Sequence, residues 1–108
     1  MKIKVFMIGV ISLISLHAYS GDHSISSVCN LQSDEDGRVY LQPCEGWTSK
    51  NNCPTGIWVT WNGGTAGGKL MYSTALTALT ANKKVIVRKD GSSCQGYDVV
   101  NMIRISKN

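Results

Sequence analysis

Between Ile57 and Trp61 apolar and polar positions alternate, with Ile57, Val59 and Trp61 on one side of a strand and Trp58 and Thr60 on the other. A helical period follows. Met71, Ala75, Ala78, Leu79 and Asn82 fall at i, i+4, i+7, i+8 and i+11 with Leu76 beside them, which predicts a helix over Lys69–Asn82 with one apolar stripe. Its other face carries Ser73, Thr74, Thr77 and Thr80, small uncharged residues that allow close approach of a second protein surface. Val85–Lys89 and Tyr97–Ile105 read as two closing strands around the turn Asp90–Gly96. Upstream, Val28–Gln32 and Arg38–Gln42 flank an Asp-Gly turn and predict a hairpin. Residues 43–56, dense in Pro, Gly, Asn and Cys, predict loop, and the aperiodic polar stretch 21–27 predicts a mobile start. The order is β-β-β-α-β-β: mainly β with one helix.

The first 20 residues belong to a different pattern. Lys2 and Lys4 precede a 12-residue apolar run, Val5–Leu16, and Ala18-Tyr19-Ser20 offers small residues before a cut at Gly21, the arrangement of a secretory signal peptide. Twelve residues are too short for a hydrocarbon core of about 30 Å, so no membrane span is expected. Without this leader, a single exported domain of residues 21–108 remains, with nine basic and seven acidic side chains. The net charge falls from +4 to +2. The basic cluster Lys83, Lys84, Arg88 and Lys89 splits between two strand faces with no interleaved aromatics, so nucleic acid is not an expected partner.

The four cysteines, Cys29, Cys44, Cys53 and Cys94, lie in the exported part and predict two disulfides in a secreted or periplasmic protein. Three connectivities are possible. Cys94 sits at a hairpin tip and needs a partner from residues 29–53, and the preferred pairing is Cys53–Cys94 with Cys29–Cys44. No CxxC pair is present, which speaks against zinc and thioredoxin-type chemistry, and no cofactor is expected.

Catalytic machinery is scarce. The exported part has one histidine, His23, in the expected mobile start, and its carboxylates fall in solvated turns or strand ends, so the chain does not read as an enzyme. The acids Asp34, Glu35 and Asp36 lack calcium-loop spacing, and the glycines of residues 62–68 lack a phosphate-loop pattern. The aromatics are what is left. Flat rings beside amides and hydroxyls suit sugars, and Tyr40, Trp47, Trp58 and Asn62 are the candidate residues for ligand or subunit contact.

The stretch Ile57–Ile105 joins a tryptophan-bearing strand, a Gly-rich turn, the helix LMYSTALTALTANKK running into VIVRK, a cysteine hairpin and a closing VVNMIRI strand. It resembles the B subunits of AB-type bacterial toxins, nearest to those of subtilase cytotoxin and typhoid toxin. The resemblance implies an OB-like small barrel, a homo-oligomeric, pentameric ring with helices around its pore, host or surface glycans as receptors, and a possible toxin A subunit as partner. The competing expectation is a monomeric secreted or periplasmic inhibitor or immunity-type protein that blocks a protein partner through its loops.

Overall fold

The computed structural model describes residues 21–107; the leader read over residues 1–20 lies outside the described residues. The chain runs β1 (Asp22–Ile25), β2 (Val28–Ser33), β3 (Arg38–Pro43), β4 (Val59–Asn62), α1 (Ala66–Ala81), β5 (Lys84–Gln95) and β6 (Tyr97–Ser106). The strands form one six-stranded mixed sheet in the order β1-β5-β6-β4-β3-β2. All neighbours are antiparallel except β4 and β6, which run parallel in the register Val59↔Asp98 and Thr60↔Val99.

No ladder joins β1 to β2, so the sheet is not closed into a barrel, and the closed OB-like barrel expected above is corrected to an open sheet. The two edge strands are separated along the chain only by Ser26 and Ser27. There the backbone leaves β5 for β3: the Ser26 amide donates to Glu45 Oε2 at 2.7 Å, and the Ser27 carbonyl accepts from the Cys44 amide at 3.0 Å. Backbone groups spent on these contacts cannot extend a ladder.

β1 also corrects the mobile start expected at residues 21–27. Its four residues are too few and too polar to announce a strand, yet Ile25 is fully buried and Arg88 of β5 pairs with Asp22, Nε to Oδ1 at 2.8 Å. The strand expected over Ile57–Trp61 begins two residues later. Ile57 is 52% exposed, whereas Val59, Thr60 and Trp61 are all buried. Thr60 points away from the apolar core, and Arg38 covers it by donating from Nε to its hydroxyl at 3.0 Å.

The core consists of the inward side chains of the sheet and one face of α1. Ile25, Leu41, Val59, Val85 and Val87 are 0% exposed, and Ala75 and Ala78 bring the helix against them. Met71, Tyr72 and Leu79 flank this contact, while Leu76, expected beside the stripe, is 41% exposed. The helix starts at Ala66, ahead of the expected Lys69, because Thr65 serves as N-cap and its hydroxyl accepts from the Gly68 amide at 2.9 Å. Asn82, counted above in the apolar stripe, ends the helix in the left-handed region at φ 54°. Thr74, Thr77 and Thr80 donate their hydroxyls to carbonyls four residues back, so the outer face of α1 presents methyl groups without a charge between Lys69 and Lys83.

The disulfides are Cys29–Cys44 and Cys53–Cys94, the pairing preferred from the sequence. Cys29 occupies the irregularity between Val28 and Asn30 where β2 shifts register on β3. Such crosslinks are formed and kept in oxidising compartments. In the chain-entropy view the longer loop, closed over a sequence separation of 41, contributes about 4 kcal/mol and the one closed over a separation of 15 about 3. Among the described residues no helix is long and apolar enough to cross a membrane.

Two neighbouring glycines test the packing of α1. A Cβ at Gly68 would collide with the carbonyl oxygen of Asn62, while one at Gly67 would meet nothing within 4 Å. Gly68→Ala is expected to lower the unfolding free energy by about 2–3 kcal/mol. Gly67→Ala should raise it by about 0.5–1 kcal/mol. Urea denaturation of the two variants measures both signs.

Candidate functional site

The cross-strand registers bring three aromatic side chains to one patch on the outer face of the sheet. Gln32 pairs with Tyr40 across β2 and β3, and Tyr40 pairs with Thr60 across β3 and β4. Because β4 and β6 are parallel from Val59↔Asp98, the residues just before them, Trp58 and Tyr97, also come side by side. Tyr40, Trp58, Tyr97, Gln32 and Asp34 together line a cleft of about 250 Å³. The Tyr40 and Tyr97 rings meet edge to face, with centroids 5.7 Å apart and planes at 79°.

The polar groups of this cleft are pre-set. Gln32 Nε2 donates to Asp34 Oδ1 at 2.8 Å, which fixes the amide with its oxygen free to accept. The Asp34 backbone closes the β2–β3 turn, its amide donating to the Arg38 carbonyl at 2.9 Å and its own carbonyl accepting from the Gly37 amide at 2.9 Å. Burial raises the Tyr40 phenol above its usual range, and the negative charges of Asp34 and Asp36 reinforce the shift, so the hydroxyl keeps its proton and can donate. The cleft therefore offers ring faces, the phenol hydroxyls of Tyr40 and Tyr97, a carboxylate and an amide oxygen. Groups of this kind are chemically able to stack on the apolar face of a polyhydroxylated ring and to hydrogen-bond its hydroxyls.

Of the four residues proposed from the sequence, the structure brings Tyr40 and Trp58 together and places Trp47 and Asn62 elsewhere. Trp47 is half-buried in the loop 44–56, where its Nε1 donates to Asp98 Oδ2 at 2.9 Å and Lys50 Nζ lies 4.9 Å from the ring centroid. Asn62 builds the turn into α1: its Oδ1 accepts from the Gly64 amide at 2.8 Å. Tyr97, Gln32 and Asp34 were missed. Tyr97 opens an ordinary strand in the sequence, and only the parallel register, a contact between residues about 40 positions apart, puts it beside Trp58.

Asp98, next to Tyr97, points to the opposite side and is 0% exposed. It is the anchor of the loop that leads into Trp58. Its Oδ2 accepts from Trp47 Nε1 and from the Lys50 amide at 2.7 Å; its Oδ1 accepts from Ser49 Oγ at 2.7 Å and lies 3.0 Å from Cys53 Sγ. Burial by itself would raise this carboxyl, but the hydrogen bonds from Ser49, Lys50 and Trp47 outweigh it and hold the group below the usual carboxylate range. Among the described residues Cys53, Cys94 and Asp98 have the proximity of metal ligands. They do not fit a metal, because both sulfurs are joined in a disulfide and the carboxylate oxygens are already engaged.

His23, placed above in the expected mobile start, packs on this anchor. Its ring meets Trp47 edge to face at 5.7 Å, and Nε2 is buried without a hydrogen-bond partner. Burial lowers its pKa, and the positive charges of Lys50 and Lys89 add to that effect. Compared with protein-family models, curated proteins and solved structures, the chain matches none.

Both shifts make the fold acid-sensitive. The unfolded chain takes up a proton on His23 near pH 6.5 while the folded chain resists it, so stability falls as pH drops below about 6.5. Asp98 has a depressed folded pKa, so its contribution is complete well above pH 4 and is lost as pH falls from about 4 through the folded value. Thermal unfolding from pH 7.5 to 3 should show two successive losses of Tm, the first absent in His23→Phe. Asp98→Asn, which turns an acceptor into a donor among donors, should cost about 2–3 kcal/mol at pH 7.

Proposed function

We propose that this is a secreted, non-catalytic glycan-binding protein that engages host or surface glycans through the Tyr40–Trp58–Tyr97 cleft. The observation that carries the reading is the convergence of three aromatic rings with an oriented Gln32 and Asp34 on one outward face. Rings held by backbone register lose little freedom when a sugar stacks on them, which favours binding by a shallow cleft.

The sequence resemblance to toxin B subunits extends this reading to a homo-oligomeric ring, pentameric in that family, that delivers an A subunit. It is supported by α1, whose outer face carries Leu70 at 70% exposure, Leu76 at 41% and a row of internally bonded threonines. An uncharged helix face of this kind suits close packing of helices from neighbouring copies.

A glycan array probed with the purified protein should give hits that Trp58→Ala and Tyr97→Ala each weaken by about tenfold or more, the loss of one stacked ring. Neither side chain belongs to the buried core, so both variants should keep the wild-type Tm within a few degrees. An array without hits would remove the glycan reading. Light scattering that gives a monomeric mass would remove the ring, and a single stoichiometric protein partner recovered with that monomer would instead establish the inhibitor or immunity-type role.

A further inference from the structure

The start of β1 carries chemistry that the aromatic cleft does not use. Gly21, Asp22 and His23 directly follow Ala18-Tyr19-Ser20, the point at which the leader is expected to be cut. A cut there gives Gly21 a free α-amine and makes histidine the third residue. Four nitrogens then follow one another along the chain: the Gly21 α-amine, the amides of Asp22 and His23, and the His23 imidazole Nδ1. Neither amide belongs to a proline, so each has a proton to lose. Wrapped around one metal ion, successive nitrogens close two five-membered rings and one six-membered ring in a single plane. A square plane of nitrogens is the geometry of Cu(II) and Ni(II).

The fold holds these residues at the rim of the sheet. β1 is an edge strand, and its pairing with β5 begins weakly: the Gly21 carbonyl accepts from the Lys89 amide at 3.4 Å, and Asp22 pairs with Arg88 through side chains that are 36% and 45% exposed. An exposed pair of this kind contributes about 0–1 kcal/mol. The alternation of an antiparallel ladder turns the Asp22 amide to the open edge and the His23 amide toward Val87. The imidazole leans back along the strand, so that a Cβ on residue 21 would lie 3.5 Å from its Nε2. Further on, β1 is secured by the fully buried Ile25 and by the Ser26 amide on Glu45. The first three residues are therefore free to leave β5 while the rest of the strand stays.

Charge favours this chelate over a site made of side chains alone. His23 shares a cavity of about 380 Å³ with Glu45 and Lys50. Glu45 is engaged by the Ser26 amide, and the Lys50 ammonium, 4.9 Å from the centre of the Trp47 ring that His23 meets, repels a dication. The chelate escapes that repulsion. Two amide protons leave as the ion enters, so the centre gains no net positive charge.

We propose that export leaves Gly21 as the first residue and that Gly21-Asp22-His23 is a Cu(II) site, with Ni(II) as the second ion it takes. Binding is a proton exchange without change of oxidation state. The Gly21 ammonium and the amides of Asp22 and His23 each release a proton to solvent, and the ion forms four bonds to nitrogen in their place. Asp22 then leaves Arg88, and the His23 amide leaves Val87. The site is separate from the aromatic cleft and independent of what the cleft binds.

The test uses the exported protein, purified from the periplasm of a bacterial host that makes the full chain. Its intact mass should place the first residue at Gly21, and any other start overturns the proposal. Cu(II) should bind one ion per chain with the violet absorption and four-nitrogen EPR splitting of a square-planar centre, and should quench tryptophan fluorescence because Trp47 lies against His23. Zn(II), which has no preference for a square plane, should produce none of these signals. Ni(II) gives a diamagnetic complex, and the ¹⁵N–¹H signals of the Asp22 and His23 amides should vanish with their protons. Acidification from about pH 7.5 to about 4 should discharge the ion as protons compete for the nitrogens. His23→Ala should abolish the violet band. One alanine inserted before Gly21, with the start again verified by mass, moves histidine to the fourth position and changes no side chain. It should keep the metal-free Tm yet weaken Cu(II) by more than about a hundredfold, beyond the loss of an outer-shell partner. A violet band that survives the insertion, or a blue species alone with the unaltered chain, would overturn the site.

Discussion

The carboxylate of Asp98 is the point on which the rest of the structure depends. Residues 44–56 contain too few apolar side chains to hold themselves in place, and a loop of that composition normally wanders. Here its backbone and side chains converge on one buried charge, through the Trp47 indole, the Ser49 hydroxyl and the Lys50 amide, with the Cys53–Cys94 disulfide fastened alongside. A buried carboxylate is costly unless its lone pairs are satisfied, and only the folded loop satisfies these. Loop and strand therefore form together or not at all, and His23 of β1 is drawn into the same unit by its contact with Trp47.

The anchor also explains a division of labour among the aromatics. Trp47 faces inward because its indole N–H is needed by Asp98, whereas Trp58 and Tyr97, each adjacent to a residue locked into the β4–β6 pair, are turned outward by the alternation of strand side chains. The outer face of the sheet thus carries the rings beside Arg38. Neither is soft: Tyr40 and Arg38 come from the same strand, and Thr60 beneath them is bonded to both Arg38 and the Val39 carbonyl.

Much of the fold is legible from local pattern. The Ile57–Trp61 alternation, the 3.6-residue period through Met71, Ala75 and Ala78, and the Asp-Gly turn before Arg38 each involve neighbours in the chain, whose side-chain directions follow from backbone geometry alone. The illegible parts are those in which distant contacts override local preference. The polar segment Asp22–Ile25 becomes a strand because β5 offers it a ladder, and Ile57 lies outside β4 because β6 pairs only from Val59 onward. The candidate site divides in the same way. Tryptophan and tyrosine are conspicuous in any sequence, but which of them share a cleft is set by a parallel register, and Asp34, locally an ordinary turn residue, joins them only through Gln32.

What the sequence by itself determined is therefore the inventory: a β-rich chain with one uncharged-faced helix, four cysteines available for two crosslinks, and a set of tryptophans and tyrosines. What only the tertiary structure decided is assignment: an open sheet in place of a closed barrel, and a structural use for Trp47 and a surface use for Trp58. The physical reason is range. Periodicity and turn chemistry act over a few residues, while hydrogen-bond satisfaction of a buried group is settled by whatever the register brings to it from 40 or more positions away.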